Sequence, residues 1–349
     1  MLFRSKKKKK STVAPSSSYR PPKTATASVE ALSSAISMLT DLDPTIINNP
    51  LDEKSGPLEP DPIEFLVKVA ASPELSSELQ SKLHHRITQV RFAHLFSSLS
   101  TAGQARLRSA SGPQAGRAFT VIPRLLELVM SNKQYQLAVA HRNDLPYARL
   151  LRARCKKCGN DPNANEHSHG CPALRRTAAL ASHIGIQNVW KDSVQKNGGY
   201  AELEVQISDQ KVVDVHMVMH DQNIMVDVSN TCPSANTYKS GASQKTLNAA
   251  HIRELVKNKK YVLLCNKIGA RFVPLVMESY GAMTRTVVNM ARRIAEYGRD
   301  MMIPKALTAN DILNRLAVAL QRGNAFLISS SLTSVVADAS EVHVNSAVT

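Results

Sequence analysis

The chain has 349 residues, a formal net charge of +16 and a hydrophobic fraction of 43%. This length predicts about two domains, or one domain with tails. No apolar run approaches the ~18 residues of a membrane span and no signal-like stretch opens the chain, so we expect neither a membrane partner nor secretion. Five cysteines, three of them in one short loop, do not form a disulfide framework and favour a reducing cytosolic or nuclear compartment.

Residues 1–61 are predicted to form a disordered basic tail followed by a proline-rich linker. The first 29 residues hold eight basic side chains and no acidic one, which favours a polyanionic partner; a solvated tail that aids solubility is the alternative. Five successive lysines at positions 6–10 resemble a nuclear-localisation patch or a nonspecific basic arm. We expect a nuclear protein, and a mitochondrial presequence is the alternative because no acidic residue precedes Glu30.

Residues 62–150 are predicted to be mostly helical. One helix starts at Ser72, which Pro73 and Glu74 follow as a typical first turn. Its apolar positions keep helical spacing: they are Leu75, Leu79, Leu83, Ile87 and Val90. Residues 125–141 are expected to form a further helix.

Residues 151–175, which include the loop CKKCGNDPNANEHSHGC, are predicted to form a zinc knuckle. Two cysteines separated by two residues let one turn present two thiolates to a single ion, and Gly159 permits that turn. Four soft or borderline ligands favour structural Zn²⁺. The expected ligands are Cys155, Cys158, His167 and Cys171, with His169 as the alternative nitrogen ligand. The loop is polar and its spacing is short for a major-groove finger, so we expect a structural brace.

Helices and strands are expected to alternate after the knuckle. The predicted elements are a helix at residues 175–194, a strand-rich block at 202–228, a long helix at 243–261 and a strand at 271–277. A last helix begins near Thr308, which forms the sequence pattern of a capping box with Asp311. No internal repeat is visible.

The stretch KVVDVHMVMHDQNIMVDVS predicts a β-hairpin that carries two aspartates. Apolar residues alternate with Asp214 on the first strand and with Asp227 on the second. A loop of two or four residues centred on Asp221–Gln222 places Asp214 across from Ser229 and both aspartates on one face. A three-residue loop places them on opposite faces.

Two aspartates within hydrophobic strands need a reason, because aspartate is depleted there. Shared coordination of Mg²⁺ or Mn²⁺ is one such reason. Glu202 or Glu204, at the start of the strand-rich block, could supply a third carboxylate. The alternative is that the aspartates form the solvated face of an amphipathic hairpin.

The stretch HIRELVKNKKY predicts a basic helix. Its buried stripe is expected to contain Ile252, Leu255 and Val256, while a row of cations with i, i+4, i+7 spacing lies on another face. This row is Arg253, Lys257 and Lys260. Such a row could bind phosphates, or one lysine could stabilise charge at a scissile phosphate. A solvated charged face is the alternative.

The order of these patterns resembles the restriction-like endonuclease region that follows the reverse transcriptase in some site-specific non-long-terminal-repeat retrotransposons, and more closely the proteins derived from such elements. The ordered set spans about residues 100–330. The matching stretches are RLRSASGPQAG (106–116), the knuckle, VVDVHMVMHDQNIMVDVSNTCPSANTY (212–238), RELVKNKKY (253–261), FVPLVMESYG (272–281) and LQRGNA (320–325).

This resemblance implies a PD-(D/E)xK-type fold, a mixed sheet flanked by helices, and metal-dependent cleavage of phosphodiesters. Asp214 corresponds to the aspartate of the family's Pro-Asp motif and Asp227 to the acid of the next strand. Lys257 and Lys260 correspond to the lysines of its K-x-x-K-Y segment, and Glu204 more loosely to an upstream acid.

The chain also departs from the family pattern at several positions. Val213 replaces the usual proline, and Ser229 stands where a D-x-K motif has lysine, a residue that the family often moves to the following helix. The arginine–histidine pair expected after the knuckle reads Arg176–Thr177. The paired aspartates of a polymerase are absent from the sequence, so no polymerase activity is expected.

The sequence therefore predicts an α+β chain with a restriction-endonuclease-like domain at residues 176–300 and a C-terminal helix and tail at 301–349. The expected function is DNA nicking that depends on Mg²⁺ or Mn²⁺. Nucleic acid is the expected partner, with a reverse transcriptase or another retroelement protein as a further one. The alternative is a catalytically inactive nucleic-acid-binding or protein-interaction module on the same fold.

Overall fold

The computed structural model describes residues 88–89, 91–146, 154–155, 157–161, 167–175 and 178–332. The chain divides into two compact units, Met1–Leu95 and Phe96–Thr349. The basic tail, the linker and the five apolar positions of the helix predicted from Ser72 lie outside the described residues. The elements named below belong to the second unit.

The second unit places several helices before a sheet and further helices after it. Before the sheet are α1 (Thr101–Ala110), α2 (Arg117–Thr120), a 3₁₀ turn (Leu126–Leu128), α3 (Asn132–Asn143), α4 (His167–Gly170), α5 (Pro172–Arg175) and α6 (Ala178–Lys196). Then follow β1 (Tyr200–Ser208), β2 (Lys211–Met219), β3 (Gln222–Thr231), α7 (Lys239–Gln244), α8 (Asn248–Lys267), β4 (Arg271–Glu278), α9 (Arg285–Asp300) and α10 (Ala309–Leu332).

The four strands form one mixed sheet in the order β1-β2-β3-β4. Two tight turns join the first three strands in antiparallel pairs. β4 then pairs parallel to β3, because α8 crosses over between them and returns the chain to the same end of the sheet. The predicted α+β architecture, a mixed sheet flanked by helices, is confirmed.

The main core lies between one face of the sheet and helices α6, α9 and α10. On α6 the buried residues Ile186, Trp190 and Val194 recur every four positions, the spacing of one helical face. α10 contributes Ile312 and Leu316 to the same cluster. The C-terminal helix is therefore part of the core that supports the sheet.

Three stretches that are distant in sequence meet at the end of β4. The Arg106 side chain of α1 donates a hydrogen bond to the Tyr280 hydroxyl at 3.4 Å. Asn324 of α10 donates to the Ser279 carbonyl at 2.6 Å, and the Ser279 amide donates to the Thr231 carbonyl at the end of β3 at 3.0 Å. These contacts fix the ends of the two central strands.

The turn after β4 requires glycine at position 281. Gly281 has φ of 108°, and a Cβ there would lie 2.6 Å from the Ala115 carbonyl oxygen. We expect Gly281→Ala to lower the free energy of unfolding by about 2–3 kcal/mol, because it adds backbone strain and a clash with the main chain. Gly116→Ala is the matched control, since a Cβ at Gly116 meets nothing within 4 Å. Urea denaturation of both variants tests this; equal stabilities would contradict it.

A buried carboxylate from β4 fixes the start of α8. The residue before this helix, Leu247, supplies no side-chain cap. Instead Glu278, which is buried, accepts a hydrogen bond from the Ala250 amide at 3.4 Å. Burial raises the pKa of Glu278, although the amides of the first turn act in the opposite direction. Because α8 supplies Lys257 to the sheet, this contact also helps to position that lysine.

The buried face of α8 differs from the predicted one. Ile252, Leu255 and Val256 are exposed, Leu255 to 68%, so the predicted stripe was wrong. The helix packs instead through small or amphipathic residues, namely Ala249, Ala250, Lys257, Tyr261 and Cys265. Small side chains near its start allow close approach, and Lys257 is buried because it pairs with a carboxylate of the sheet.

Two helix boundaries also differ from the prediction. The helix expected at residues 125–141 begins only at Asn132, after a capping box formed by Ser131 and Gln134. The helix expected from residue 243 begins at Asn248, and α7 precedes it as a separate element. The predicted capping box of the last helix is confirmed, since the Asp311 amide donates to Thr308 Oγ1 at 3.2 Å and Asp311 Oδ2 accepts from the Thr308 amide.

Candidate metal centre and acidic site

Four side chains of the cysteine loop converge on one point. Their ligand atoms all lie within 4.8 Å of one another; the residues are Cys155, Cys158, His167 and Cys171. Within the described residues, these four side chains form a group of His and Cys ligands close enough together to share one ion. Three thiolates and one imidazole match the donors of a structural zinc site. The expected ligand set is therefore confirmed as a group that could hold Zn²⁺.

The loop geometry distinguishes the two histidines that the sequence left open. Cys158 Sγ lies 3.5 Å from His167 Nε2. His169 is not part of the ligand group, and its Nε2 lies 3.3 Å from Nε2 of His141. Burial lowers the pKa of His141 well below its usual range, so this ring is neutral. His169 thus contacts α3 instead of the candidate metal position.

The knuckle is also attached to the rest of the second unit by apolar contacts. Cys155 and Cys171 are each 3% exposed and pack with Leu174 and Leu327. Gly159 has φ of 75°, and its amide donates to the Cys155 carbonyl at 2.7 Å. The tight turn predicted at this glycine is present, and the loop lies against α10.

The hairpin register differs from the predicted one. β2 and β3 pair as Met219↔Gln222 through Val215↔Val226, so the next step brings Asp214 beside Asp227, whereas Ser229 was predicted as its partner. The connecting residues are His220 and Asp221, with φ of 47° and 56°, which is the left-handed backbone of a two-residue hairpin turn. The observed partner of Asp214 lies two positions from the predicted one. Since side chains alternate between the two faces of a strand, a shift of two positions leaves both aspartates on the same face.

Two carboxylates, a lysine and a histidine meet at this position. The Lys257 ammonium donates to Asp227 Oδ1 at 2.5 Å and to the Val228 carbonyl at 3.2 Å. Asp214 Oδ1 lies 3.0 Å from His183 Nε2, and Asp214 Oδ2 accepts from the Val228 amide at 2.5 Å. Four elements, namely α6, β2, β3 and α8, therefore contribute side chains to one partly buried site.

The charges of the site influence one another strongly. Burial, together with the neighbouring Asp214 carboxylate, raises the pKa of Asp227 to about 6. Burial alone would raise the pKa of Asp214 too, but hydrogen bonds from His183 and Asp227 lower it. Burial lowers the pKa of Lys257, although Asp227 acts in the opposite direction. Two adjacent carboxylates in a largely buried site thus repel each other, so one of them takes up a proton more readily than usual.

If the acidic pair binds a divalent ion, the pKa of Asp227, raised to about 6, sets the pH dependence of that binding. Protons and metal compete for the same carboxylate, so affinity is lost as the pH falls below about 6 and is constant well above it. We expect the dissociation constant for Mn²⁺ to be about tenfold larger at pH 5 than at pH 7. Calorimetric titration of the zinc-loaded chain measures this. Equal affinity at the two pH values would contradict the assignment of Asp227 as a ligand.

The sequence did not predict the contribution of α6. His183 and Gln187 are one turn apart, so they lie on the same side of the helix. Gln187, which is buried, donates to Glu204 Oε1 at 2.6 Å. Glu204 lies across from Asp214, between the pairs Leu203↔Val215 and Val205↔Val213. Polar residues inside an otherwise apolar helical face were the signal that could have revealed this contact.

The other predicted site residues lie around this centre. Arg253 Nε donates to Ser229 Oγ at 3.3 Å. The Lys260 ammonium donates to the Tyr261 hydroxyl at 2.5 Å, one turn away from Lys257. Glu202 accepts a hydrogen bond from the exposed Tyr200 hydroxyl at 2.8 Å. Of the two candidate lysines, Lys257 is the one that contacts an aspartate.

No protein-family model and no curated protein matches this chain. Among the described residues, no helix combines the length and apolarity needed to span a bilayer. The functional interpretation therefore depends on the geometry of the acidic site and on the order of the sequence motifs.

Proposed function

We propose that the second unit is a metal-dependent nuclease domain of the PD-(D/E)xK type, derived from a retroelement and acting on DNA in the nucleus. The observation that supports this most is the pair formed by half-buried Asp214 and buried Asp227 beside the Lys257 ammonium, with the pKa of Asp227 raised to about 6. The mixed sheet flanked by helices agrees with the fold that the resemblance implies. A reverse transcriptase encoded by the same kind of element is the proposed protein partner.

The chemistry assigns a role to each group of the site. Asp214 and Asp227 would hold one or two Mg²⁺ or Mn²⁺ ions, because hard cations prefer carboxylate oxygens. When bound, the metal supplies Lewis-acid charge and an activated water at the scissile phosphate. Lys257 adds a fixed positive charge that stabilises the developing phosphate charge. His183 and the Val228 amide hold the two oxygens of Asp214 in place.

Lys257 lies close to the strand position at which a D-x-K motif carries its lysine. Ser229 occupies that position in the strand. The Lys257 ammonium, however, reaches the carbonyl of the preceding residue, Val228, at 3.2 Å. Lys257 of α8 thus brings an ammonium group close to the strand position where a D-x-K motif would carry its lysine. This favours a catalytically active site over the inactive-module alternative.

The test is nicking of supercoiled plasmid by the zinc-loaded full chain with added Mg²⁺. We expect open-circular product from the wild type and none from the double variant Asp214→Asn, Asp227→Asn. The matched control is Asp209→Asn, Asp221→Asn, which removes two exposed carboxylates from the hairpin turns and is expected to nick normally. If the wild type binds DNA in a salt-dependent manner but does not nick it, the nuclease proposal is wrong and the second unit is a noncatalytic binding module.

A further inference from the structure

Two neighbouring side-chain contacts join α8 to β3 at the acidic site. The Lys257 ammonium lies 2.5 Å from Asp227 Oδ1, and Arg253 Nε donates to Ser229 Oγ at 3.3 Å. Lys257 and Arg253 are one helical turn apart, and Asp227 and Ser229 are two residues apart on one face of the strand. The second contact therefore lies about 6–7 Å from the first along both elements.

The Arg253 guanidinium has donors left over at this position. Arginine carries five N–H donors, and in the part of the chain that the structure describes only the Nε donor of Arg253 has a hydrogen-bond partner. Arg253 is half-buried, and none of the described acids forms an ion pair with it. The neighbouring acid, Glu254, lies 3.1 Å from His251 Nδ1. The two terminal nitrogens of Arg253 are thus available to an anion.

The positive charge of Arg253 does not serve to neutralise the acidic pair. It is Lys257 that pairs with Asp227. Burial lowers the pKa of Lys257, and the nearby Arg253 charge acts in the same direction, so the two cations of α8 repel each other. Arg253 therefore adds positive charge beside the site that the described residues do not balance, and such charge favours an anionic ligand.

A second phosphate of the bound strand is an anion that fits this position. A planar guanidinium binds two oxygens of one phosphate at once. A DNA strand carries one negative charge per nucleotide, and successive phosphates are separated by a distance similar to the step between the two contacts. With the scissile phosphate at Asp227 and Lys257, the next phosphate lies within reach of Arg253.

Ser229 determines where the guanidinium lies. Its side chain is largely buried, at 9% exposure of the residue, and its hydroxyl accepts the Arg253 hydrogen bond. A lysine at this strand position, as in a D-x-K motif, could not accept that bond because an ammonium group has no acceptor. The serine that departs from the family pattern is therefore the residue that orients Arg253.

We propose that Arg253, oriented by Ser229, binds the phosphate next to the scissile phosphate on the strand that is cut. This inference rests on the proposed function for the identity of the ligand. The contact is with a phosphate, so it fixes the position of the strand over the acidic pair without reading sequence. Arg253 is the contacting residue, and Ser229 is a positioning residue.

The contact is tested by binding of the zinc-loaded full chain to a fluorescent DNA duplex, measured by anisotropy with Ca²⁺ in place of Mg²⁺. We expect Arg253→Gln to bind about tenfold more weakly at ~100 mM salt, and the slope of log affinity against log salt to fall by about 0.9, the contribution of one phosphate contact. Lys259→Gln is the matched control, because Lys259 is an exposed cation on the opposite side of the same helix from Lys257. Its affinity should stay within about twofold of the wild type. Equal losses in the two variants would overturn the proposal.

The role of Ser229 is tested by combining two variants. Ser229→Ala alone is expected to weaken binding about threefold, but it should have no further effect in the Arg253→Gln background. Arg253→Lys keeps the charge without the Nε donor, so it should keep the salt slope and lose about threefold in affinity. If Ser229→Ala weakened binding equally in both backgrounds, Ser229 would act on the fold and its positioning role would be wrong.

Nicking kinetics distinguish this contact from one with the scissile phosphate. A contact with the neighbouring phosphate is made equally before and in the transition state, so Arg253→Gln should raise KM about tenfold and leave kcat within about threefold of the wild type. A loss of kcat with unchanged KM would place Arg253 at the scissile phosphate and overturn the assignment. If the wild type binds DNA without nicking it, the proposed function fails, while the comparison of Arg253→Gln with Lys259→Gln still decides whether Arg253 contacts a phosphate.

Discussion

Replacing Lys257 by methionine is expected to reduce Mg²⁺-dependent plasmid nicking by about 10²–10³-fold, the usual effect of removing one fixed charge that stabilises a transition state. The Lys257 ammonium is buried and lies 2.5 Å from Asp227. Methionine keeps the length and apolar character of the side chain but removes the charge. The measurement is the single-turnover nicking rate at saturating Mg²⁺.

Lys257→Met is not expected to unfold the protein. Removing one partner of a buried ion pair usually costs about 3–5 kcal/mol when the other charge is left unpaired. Asp227 can instead bind a proton, because burial and Asp214 already raise its pKa to about 6. Thermal unfolding at pH 6 should therefore show a smaller loss of stability than at pH 8, where the protonated form is less accessible.

Lys260→Met provides the matched control for this prediction. Lys260 lies three residues further along α8, and its ammonium contacts the Tyr261 hydroxyl. We expect its nicking rate to stay within about threefold of the wild type. If the two variants lost activity equally, the basic row would act as a general phosphate-binding surface, and the specific role of Lys257 would be wrong.

Local patterns were sufficient to predict most of the secondary structure in the described part of the second unit. The strand at 271–277 and the helix at 175–194 correspond to β4 and α6. The strand was predicted from a short apolar run and the helix from its apolar spacing, and both signals are local. The cysteine knuckle was predictable for a different reason, because the spacing of Cys155 and Cys158 has few explanations other than a metal.

The hairpin register depended on a choice that local pattern did not decide. Either His220–Asp221 or Asp221–Gln222 could form the turn, and both keep the apolar alternation. The structure places the turn at His220 and Asp221, where both residues adopt positive φ. Aspartate tolerates this conformation, whereas neither position carries the glycine that usually marks such a turn.

The buried face of α8 and the role of His183 could not be predicted from their own segments. Ile252, Leu255 and Val256 suggested a buried stripe, but the partner surface of α8 contains Asp227, which selects Lys257 for burial. His183 contacts Asp214 across 31 positions of sequence. Both features follow from tertiary contacts with the acidic pair, so local pattern identified Asp214, Asp227 and Lys257 but not the helix face or the histidine that contact them.

The second large effect is expected in the knuckle. Cys171→Ser should reduce bound zinc from about one ion per chain to nearly none and should lower the free energy of unfolding by about 5 kcal/mol. Zinc contributes about 10–16 kcal/mol in isolated fingers, and here the apolar packing of Leu174 and Ala178 against Leu327, which the variant keeps, retains part of the stability. Elemental analysis and urea denaturation measure the two quantities.

His169→Ala separates zinc binding from the other contacts of the same loop. His169 Nε2 lies 3.3 Å from His141, so its loss should leave zinc content unchanged and remove the contact with α3. His167→Ala should instead lose the ion as Cys171→Ser does, because His167 lies within the ligand group. Full zinc occupancy in His167→Ala together with zinc loss in His169→Ala would reverse this assignment. Since the knuckle packs on α10 and α10 fixes the end of β4 through Asn324, loss of zinc should also slow nicking without removing any group from the acidic site.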